Sequence, residues 1–184
     1  MTDSHGVQEP WRKARFAALV EEHYRSVYRF CFWLVGPNRS AEDLCQQVFL
    51  TAWEKFEQLR DGTRAKGWLM RIALNSLRTE GRRAARRGEI HLVAEADQTP
   101  AHGDGDPAGP AAALDHRRLI YEALQSLPEE QRAAVVLRVM QDLPGKEVSQ
   151  LLGMSEASVS RRKDEGLEVL RGKLLRSGVL TGDG

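Results

Sequence analysis

Along RIALNSLRTEGRRAAR, residues 71–86, Arg71, Asn75, Arg78, Arg82 and Arg86 stand four, three, four and four positions apart. At 3.6 residues per turn this spacing lines them along one face of a helix. Arg83 and Arg87 widen the row, and Glu80 is the single acid within 71–87. Guanidiniums in such a row suit the phosphates of a nucleic acid, and a neighbouring loop anchored by aromatic residues suits an unstacked base. A second set lies in PGKEVSQLLGMSEASVSRR, residues 144–162. Gly153 can take the left-handed conformation that ends one short helix, and Ser155 can cap the next. Val148, Leu151, Leu152 and Val159 supply apolar packing between the two, the pattern of a helix-turn-helix. Ser158, Arg161 and Arg162 then project from the first turns of the second helix, where base edges and phosphates are met. A third set is the outward row Asp43, Gln46, Gln47, Leu50 and Glu54, in which one apolar residue among acids and amides can anchor a basic partner helix.

All three sets recognise rather than react. His5, His23, His91, His102 and His116 are scattered, and the chain has no paired carboxylates, glycine-rich phosphate loop or nucleophile elbow. Cys31 and Cys45 lack the spacing of a zinc site and fall inside apolar stripes, which makes them reduced core thiols. The sequence therefore implies no enzyme, no cofactor and no metal.

The elements that must position these residues are helical. Apolar residues recur every three or four positions, no stretch alternates as a strand does, and proline and glycine mark the breaks. Phe16, Val20, Tyr24, Val27, Cys31 and Leu34 form the inner stripe of a first helix ending at Gly36-Pro37. Ser40 with Asp43 caps a second, whose inner face is Leu44, Val48, Phe49, Ala52 and Phe56. A third runs from about Gly67 to Arg87, with Trp68, Leu69, Ile72 and Ala73 inside. Further helices fit at 114–126, 128–141, 144–152 and 156–175, with Ser126 to Glu129 and Ser155 to Ser158 as caps. The predicted fold is all-α: a three-helix bundle over residues 14–90 and a four-helix unit with the helix-turn-helix over 114–176. Tails occupy 1–13 and 177–184. Residues 91–113 gather three prolines, three glycines and four acids without apolar periodicity, the composition of a flexible acidic linker.

The net charge of +1 conceals an uneven distribution. Residues 1–90 carry 16 Lys/Arg against 11 Asp/Glu, residues 91–113 none against four, and residues 114–184 carry 11 against 11. The basic first part calls for an anionic partner. The N-terminus lacks the pattern of a signal peptide and the apolar run from Phe30 to Val35 is too short to span a bilayer, so a cytoplasmic protein without membrane insertion is expected.

In this order, the three sets resemble the extracytoplasmic-function (ECF, group IV) sigma factors of the bacterial sigma-70 family. AEDLCQQVFLTAW is similar to the family's region 2.2, GWLMRIALNSLRTEGRRAARR to regions 2.3 and 2.4, and SLPEEQRAAVVLRVMQDLPGKEVSQLLGMSEASVSRR to region 4. The resemblance covers about residues 14–88 and 114–175. It implies that Asp43, Gln46, Gln47, Leu50 and Glu54 bind the clamp helices of the largest subunit of core RNA polymerase, with the flap as a further contact. The loop 61–67 with Arg64 and Lys66, and the helix face of Arg71, Asn75, Arg78, Arg82, Arg83 and Arg86, would capture and help melt the minus-ten element. Ser158, Ser160, Arg161, Arg162 and Lys163 would bind the minus-thirty-five element of promoter DNA. An anti-sigma factor clamped over both domains is the family's usual further partner.

The sequence departs from the family pattern at several points. Gln47 replaces a usual Glu and Thr79 a usual Asp. Ser160-Arg161-Arg162-Lys163 stands for Lys-Ser-Arg-Leu, and Glu165-Gly166 for Arg-Ala. Lys163 at a half-inward position can lay its stem on the core, and a glycine within the helix costs about 1 kcal/mol in propensity. Two other readings compete. A stand-alone helix-turn-helix regulator leaves the rows 71–87 and 43–54 without a purpose. An all-helical adaptor whose basic face meets an acidic protein or membrane would want bulky apolar residues opposite the arginines, where residues 81–88 offer alanine and glycine.

Overall fold

The computed structural model describes residues 5–35, 41–86 and 111–178; side chains near several helix ends, Arg83 and Arg86 among them, lie outside the description. The expected break at Gly36-Pro37, the Ser40 cap, Arg87 and most of the 91–113 segment also lie outside it. The described residues form helices α1 (His5–Val35), α2 (Ala41–Glu54), α3 (Ala65–Arg86), α4 (Ala111–Gln125), α5 (Glu129–Val135), α6 (Gly145–Leu152) and α7 (Glu156–Arg176). They divide into two compact units, one of α1 up to Tyr28 with α2 and α3, the other of the end of α1 from Arg29 with α4 to α7.

In the first unit the inner face of α2 is as the periodicity predicts: Leu44, Val48, Phe49, Ala52 and Phe56 are all buried. Leu69, Ile72 and Ala73 of α3 are buried too, joined by Ala65, Met70 and Leu74. The stripe of α1 is rotated from the expected one. Leu19 and Phe30 are buried beside Val27, Cys31 and Leu34, whereas Tyr24 is exposed, its ring stacked 6.0 Å from Phe49. A tyrosine can cover a core from outside while its hydroxyl stays wet, which a count of apolar positions does not foresee.

α1 begins before residue 14, and its first turns are fastened to the end of α2. Arg12 lies over the Trp53 ring at 4.1 Å and donates a 2.7 Å hydrogen bond to the Trp53 carbonyl, and Phe16 meets Trp53 and Phe56 edge to face. Arg15 spans Trp11 and Phe56. Each aromatic or cation–π contact of this kind contributes about 0.5–1.5 kcal/mol.

In the second unit α7 packs against α4, α5 and α6. The end of α1 joins it, with Phe32 5.9 Å from Tyr121 and the Trp33 carbonyl accepting from Gln125 at 3.3 Å. Burial pushes the Tyr121 hydroxyl up to about 12. The expected Ser126–Glu129 cap is not made. Pro128 occupies the N-cap without a side-chain bond, and the Ser126 hydroxyl turns back to donate to the Ala123 carbonyl at 2.7 Å. Proline fixes the entry to α5 by its own φ, and the serine closes the preceding helix instead.

α5 continues as a π turn over Val136–Met140, where the Gln141 amide donates to the Val136 carbonyl at 3.0 Å. Asp142 follows with φ 52°, a left-handed conformation that an aspartate tolerates better than most residues. The Arg138 guanidinium bonds the Leu143 carbonyl, closing the turn.

Gly166 is buried, and the structure gives its reason. A β-carbon there would stand 2.8 Å from Val135 Cγ2 and 3.4 Å from Leu127 Cδ1. The glycine lets α7 come closer to α5 than any other residue would, which offsets its poor helix propensity. Gly166→Ala should therefore destabilise the unit by about 1–2 kcal/mol, since overpacking against the stiff Val135 outweighs the gain in propensity. In a double-mutant cycle with Val135→Ala the loss in the double variant should fall short of the sum of the two single losses, read by thermal unfolding. A G166A chain as stable as the parent would mean that the two helices are not in close contact.

Candidate functional site

On α3, Arg71, Asn75, Arg78 and Arg82 are all exposed and share the face opposite buried Leu69 and Ala73. Leu69 and Met70 are wholly buried, so the helix presents its guanidiniums from a fixed base. Arg82 donates to the Thr79 hydroxyl at 3.4 Å, a weak bond that leaves most of its donors outward. At the other end of α3 is the 3₁₀ turn Gly62–Arg64, capped by Asp61. The Asp61 carboxylate accepts from the Thr63 hydroxyl at 2.7 Å and from the Thr63 amide at 3.0 Å. These bonds hold the Asp61 carboxyl below the usual aspartate range. Arg64 is exposed at the tip of this turn and Lys66 is half-buried in the first turn of α3.

On α2 the row Asp43, Gln46, Gln47, Leu50 and Glu54 is exposed along its whole length. Leu50 stands out at 61% exposure, and Gln47 donates to the Thr51 hydroxyl at 3.2 Å. The first unit thus carries a basic face on α3 and a mixed polar face with one exposed leucine on α2.

The helix-turn-helix is built as expected. α6 ends at Gly153 with φ 70°, Val148, Leu151, Leu152 and Val159 are buried, and the Ser155 hydroxyl accepts from the Ser158 amide at 3.2 Å. The polar residues that follow are not equivalent. Ser158 Oγ is shared with the cap, 2.9 Å from Ser155 Oγ. Arg161 projects outward with its side chain 65% exposed, at 3.9 Å from Glu165. Arg162, only 36% exposed, is drawn back to Glu130 of α5 at 3.0 Å. Lys163, 26% exposed, keeps its stem half-inward as expected and its ammonium 3.0 Å from Asp164. That ammonium, with the Ser160 hydroxyl at 3.3 Å, holds the Asp164 carboxyl below the usual range. Of the carboxylates that pair these bases, Glu130 had no local signal, because it is 32 positions from Arg162 and only the packing of α5 on α7 joins them.

Comparison with known proteins decides the family. The model for Sigma-70 region 2 matches residues 19–87, and that for Sigma-70 region 4 matches residues 117–168. The ECF RNA polymerase sigma factor SigL of Mycobacterium tuberculosis is 32% identical over 167 residues, covering 90% of this chain and 92% of SigL. The chain belongs to the sigma-70 family. It is an ECF RNA polymerase sigma factor, a class that directs transcription initiation. The ECF sigma factor SigE of Mycolicibacterium smegmatis is 35% identical over 161 residues, 86% of this chain; the chain spans 61% of SigE's length. The all-helical fold is also that of the sigma factor RpoE of Bartonella quintana, solved in complex with the anti-sigma factor NepR. The TM-score is 0.65 at 20% identity, over 88% of this chain and 95% of that one.

The Asp61 turn yields a test. Because its folded pKa is depressed, Asp61 contributes to the order of this turn above the pKa of the unfolded chain and loses that contribution as pH falls through the folded value. In Thr63→Val the Asp61 carboxyl, followed by NMR titration, should move up toward the ordinary aspartate range. An unchanged titration would mean that Thr63 does not hold the carboxylate.

Proposed function

We propose that this sigma factor docks on the clamp helices of the largest subunit of core RNA polymerase through Asp43, Gln46, Gln47, Leu50 and Glu54. It reads the minus-ten element with Arg64, Lys66 and the α3 face from Arg71 to Arg86, and the minus-thirty-five element with the start of α7. The observation that carries this reading is the capped second helix of the helix-turn-helix, with Ser160 and Arg161 exposed beyond a rigid Gly153 turn. A leucine exposed among acids and amides on α2 supports a protein partner there, and the exposed Arg71, Arg78 and Arg82 on α3 support an anionic one. The polar segment that precedes α4 serves as a tether in this reading, so that two weak DNA contacts made from one polymerase raise overall affinity through effective concentration. The helix takes up 111–113, which the composition assigns to the linker. The flap is a contact of the second unit, and an anti-sigma factor is a further partner, in keeping with the complex of RpoE of Bartonella quintana with the anti-sigma factor NepR. The chain supplies no catalytic group, since polymerase makes the phosphodiester bond. No described helix is long and apolar enough to cross a membrane, and the site of action in this reading is the cytoplasm.

The chain should co-elute with bacterial core RNA polymerase on a sizing column, and Leu50→Asp should weaken that association while helical content stays unchanged. Equal binding by L50D would remove α2 from the interface. On promoters mapped with the resulting holoenzyme, Arg161→Ala should weaken upstream-element binding by about 1–3 kcal/mol. Wild-type promoter binding by R161A would mean that α7 is not the recognition helix.

A further inference from the structure

Four side chains tie α7 to α5. Arg162 Nη2 lies 3.0 Å from Glu130 Oε2, and Arg162 Nη1 lies 3.7 Å from Glu165 Oε2. The same Glu165 oxygen accepts a 3.0 Å hydrogen bond from Gln131 Nε2. Next to Glu165 and one turn from Arg162, Gly166 brings its backbone against Val135 and Leu127. A helix held by an apolar contact alone can still roll about its long axis. Two polar ties on one side of that contact remove the roll, because hydrogen bonds and ion pairs are directional where apolar contact is not. The roll of α7 decides where Ser160 and Arg161 point.

We propose that Glu130 and Gln131, acting through Arg162 and Glu165, are positioning residues that set the rotation of the recognition helix and so its choice of base pairs, without touching DNA. Arg162 belongs to this clamp rather than to the base-reading set. Two of its guanidinium nitrogens face carboxylates, and its side chain is 36% exposed against 65% for Arg161. The clamp also explains why an acid stands at 165 on a helix meant for a polyanion. Glu165 is turned toward Gln131 and the two arginines, and its charge is offset within the protein. This inference rests on the reading of α7 as the recognition helix.

The test uses the full chain assembled with core RNA polymerase, its mapped promoter, and a panel of single base-pair changes in the upstream element. Glu130→Ala should reduce the preference for the cognate element over the panel about three- to tenfold, spread over several base pairs. Binding to unrelated DNA should hold or rise, because a carboxylate has gone. Glu130→Gln, which keeps an acceptor for Arg162, should restore part of the preference. A Glu130→Ala, Arg162→Ala double variant should be no worse than either single one, with the dependence of affinity on salt unchanged. Additive losses in that pair, with a preference lost at one base pair and a shallower salt dependence for R162A, would make Arg162 a direct DNA contact and overturn the clamp. Full discrimination in E130A, with a native melting curve, would also overturn it. Arg161→Ala separates the two readings: if it too leaves discrimination intact, the recognition-helix reading has failed, whereas a loss in R161A alone condemns only the clamp.

Discussion

At Gly166 the backbone of α7 comes so near to α5 that a single added carbon would strike a methyl group of Val135 at 2.8 Å. Much of the second unit's arrangement follows from that approach. It brings Gln131 and Glu130 within reach of Glu165 and Arg162, and it seats Val159 and Leu170 in a core shared with buried Val135, Val136 and Val148. Interiors packed to crystal-like density have few alternatives, so a helix that begins well placed stays so along its length. The exposed end of α7 inherits its direction from a contact two turns further on.

The first unit solves a different problem, since one small bundle must offer two unlike surfaces. Helices do this cheaply because opposite faces of the same rod are separated by half a turn. α3 buries Leu69, Ile72 and Ala73 and turns its arginines out, while α2 buries Leu44, Val48 and Ala52 and turns out a leucine between amides and acids. The first turns of α1 add a further constraint. With Arg12 spread over Trp53 and bonded to its carbonyl, the end of α2 is held from the outside.

The helices, the inner faces of α2 and α3, and the helix-turn-helix were legible because each rests on a local signal: a period of 3.6, a glycine at a turn, a serine before a helix. Ser155 capped as read, and Gly153 took its left-handed turn. Where the reading missed, the deciding fact lay elsewhere in the chain. Ser126 lost its capping role to a proline two residues on, and Tyr24 left the α1 stripe because Phe49 offered it a flat face. The pairing of Arg162 with Glu130 of α5 likewise had no local signal. Gly166 read as a defect in helix propensity until the neighbour it accommodates was in view. Periodicity shows which face turns inward, not which pairs of polar groups meet across two helices.

The π turn at Val136–Met140 bears on how such a chain can change over evolutionary time. A π turn is an α-helix that has taken in one extra residue without breaking, and each residue in a helix accounts for about 100° of rotation. Removing one residue here would narrow the wide turn to an ordinary α turn and abolish the Gln141-to-Val136 bond, so the Asp142 turn and the approach to α6 would have to be rebuilt. An insertion or deletion in this stretch therefore disturbs the entry to the helix-turn-helix, where a substitution need not. The turn leading into α6 is thus confined to substitutions, because it sets the approach to the helix-turn-helix.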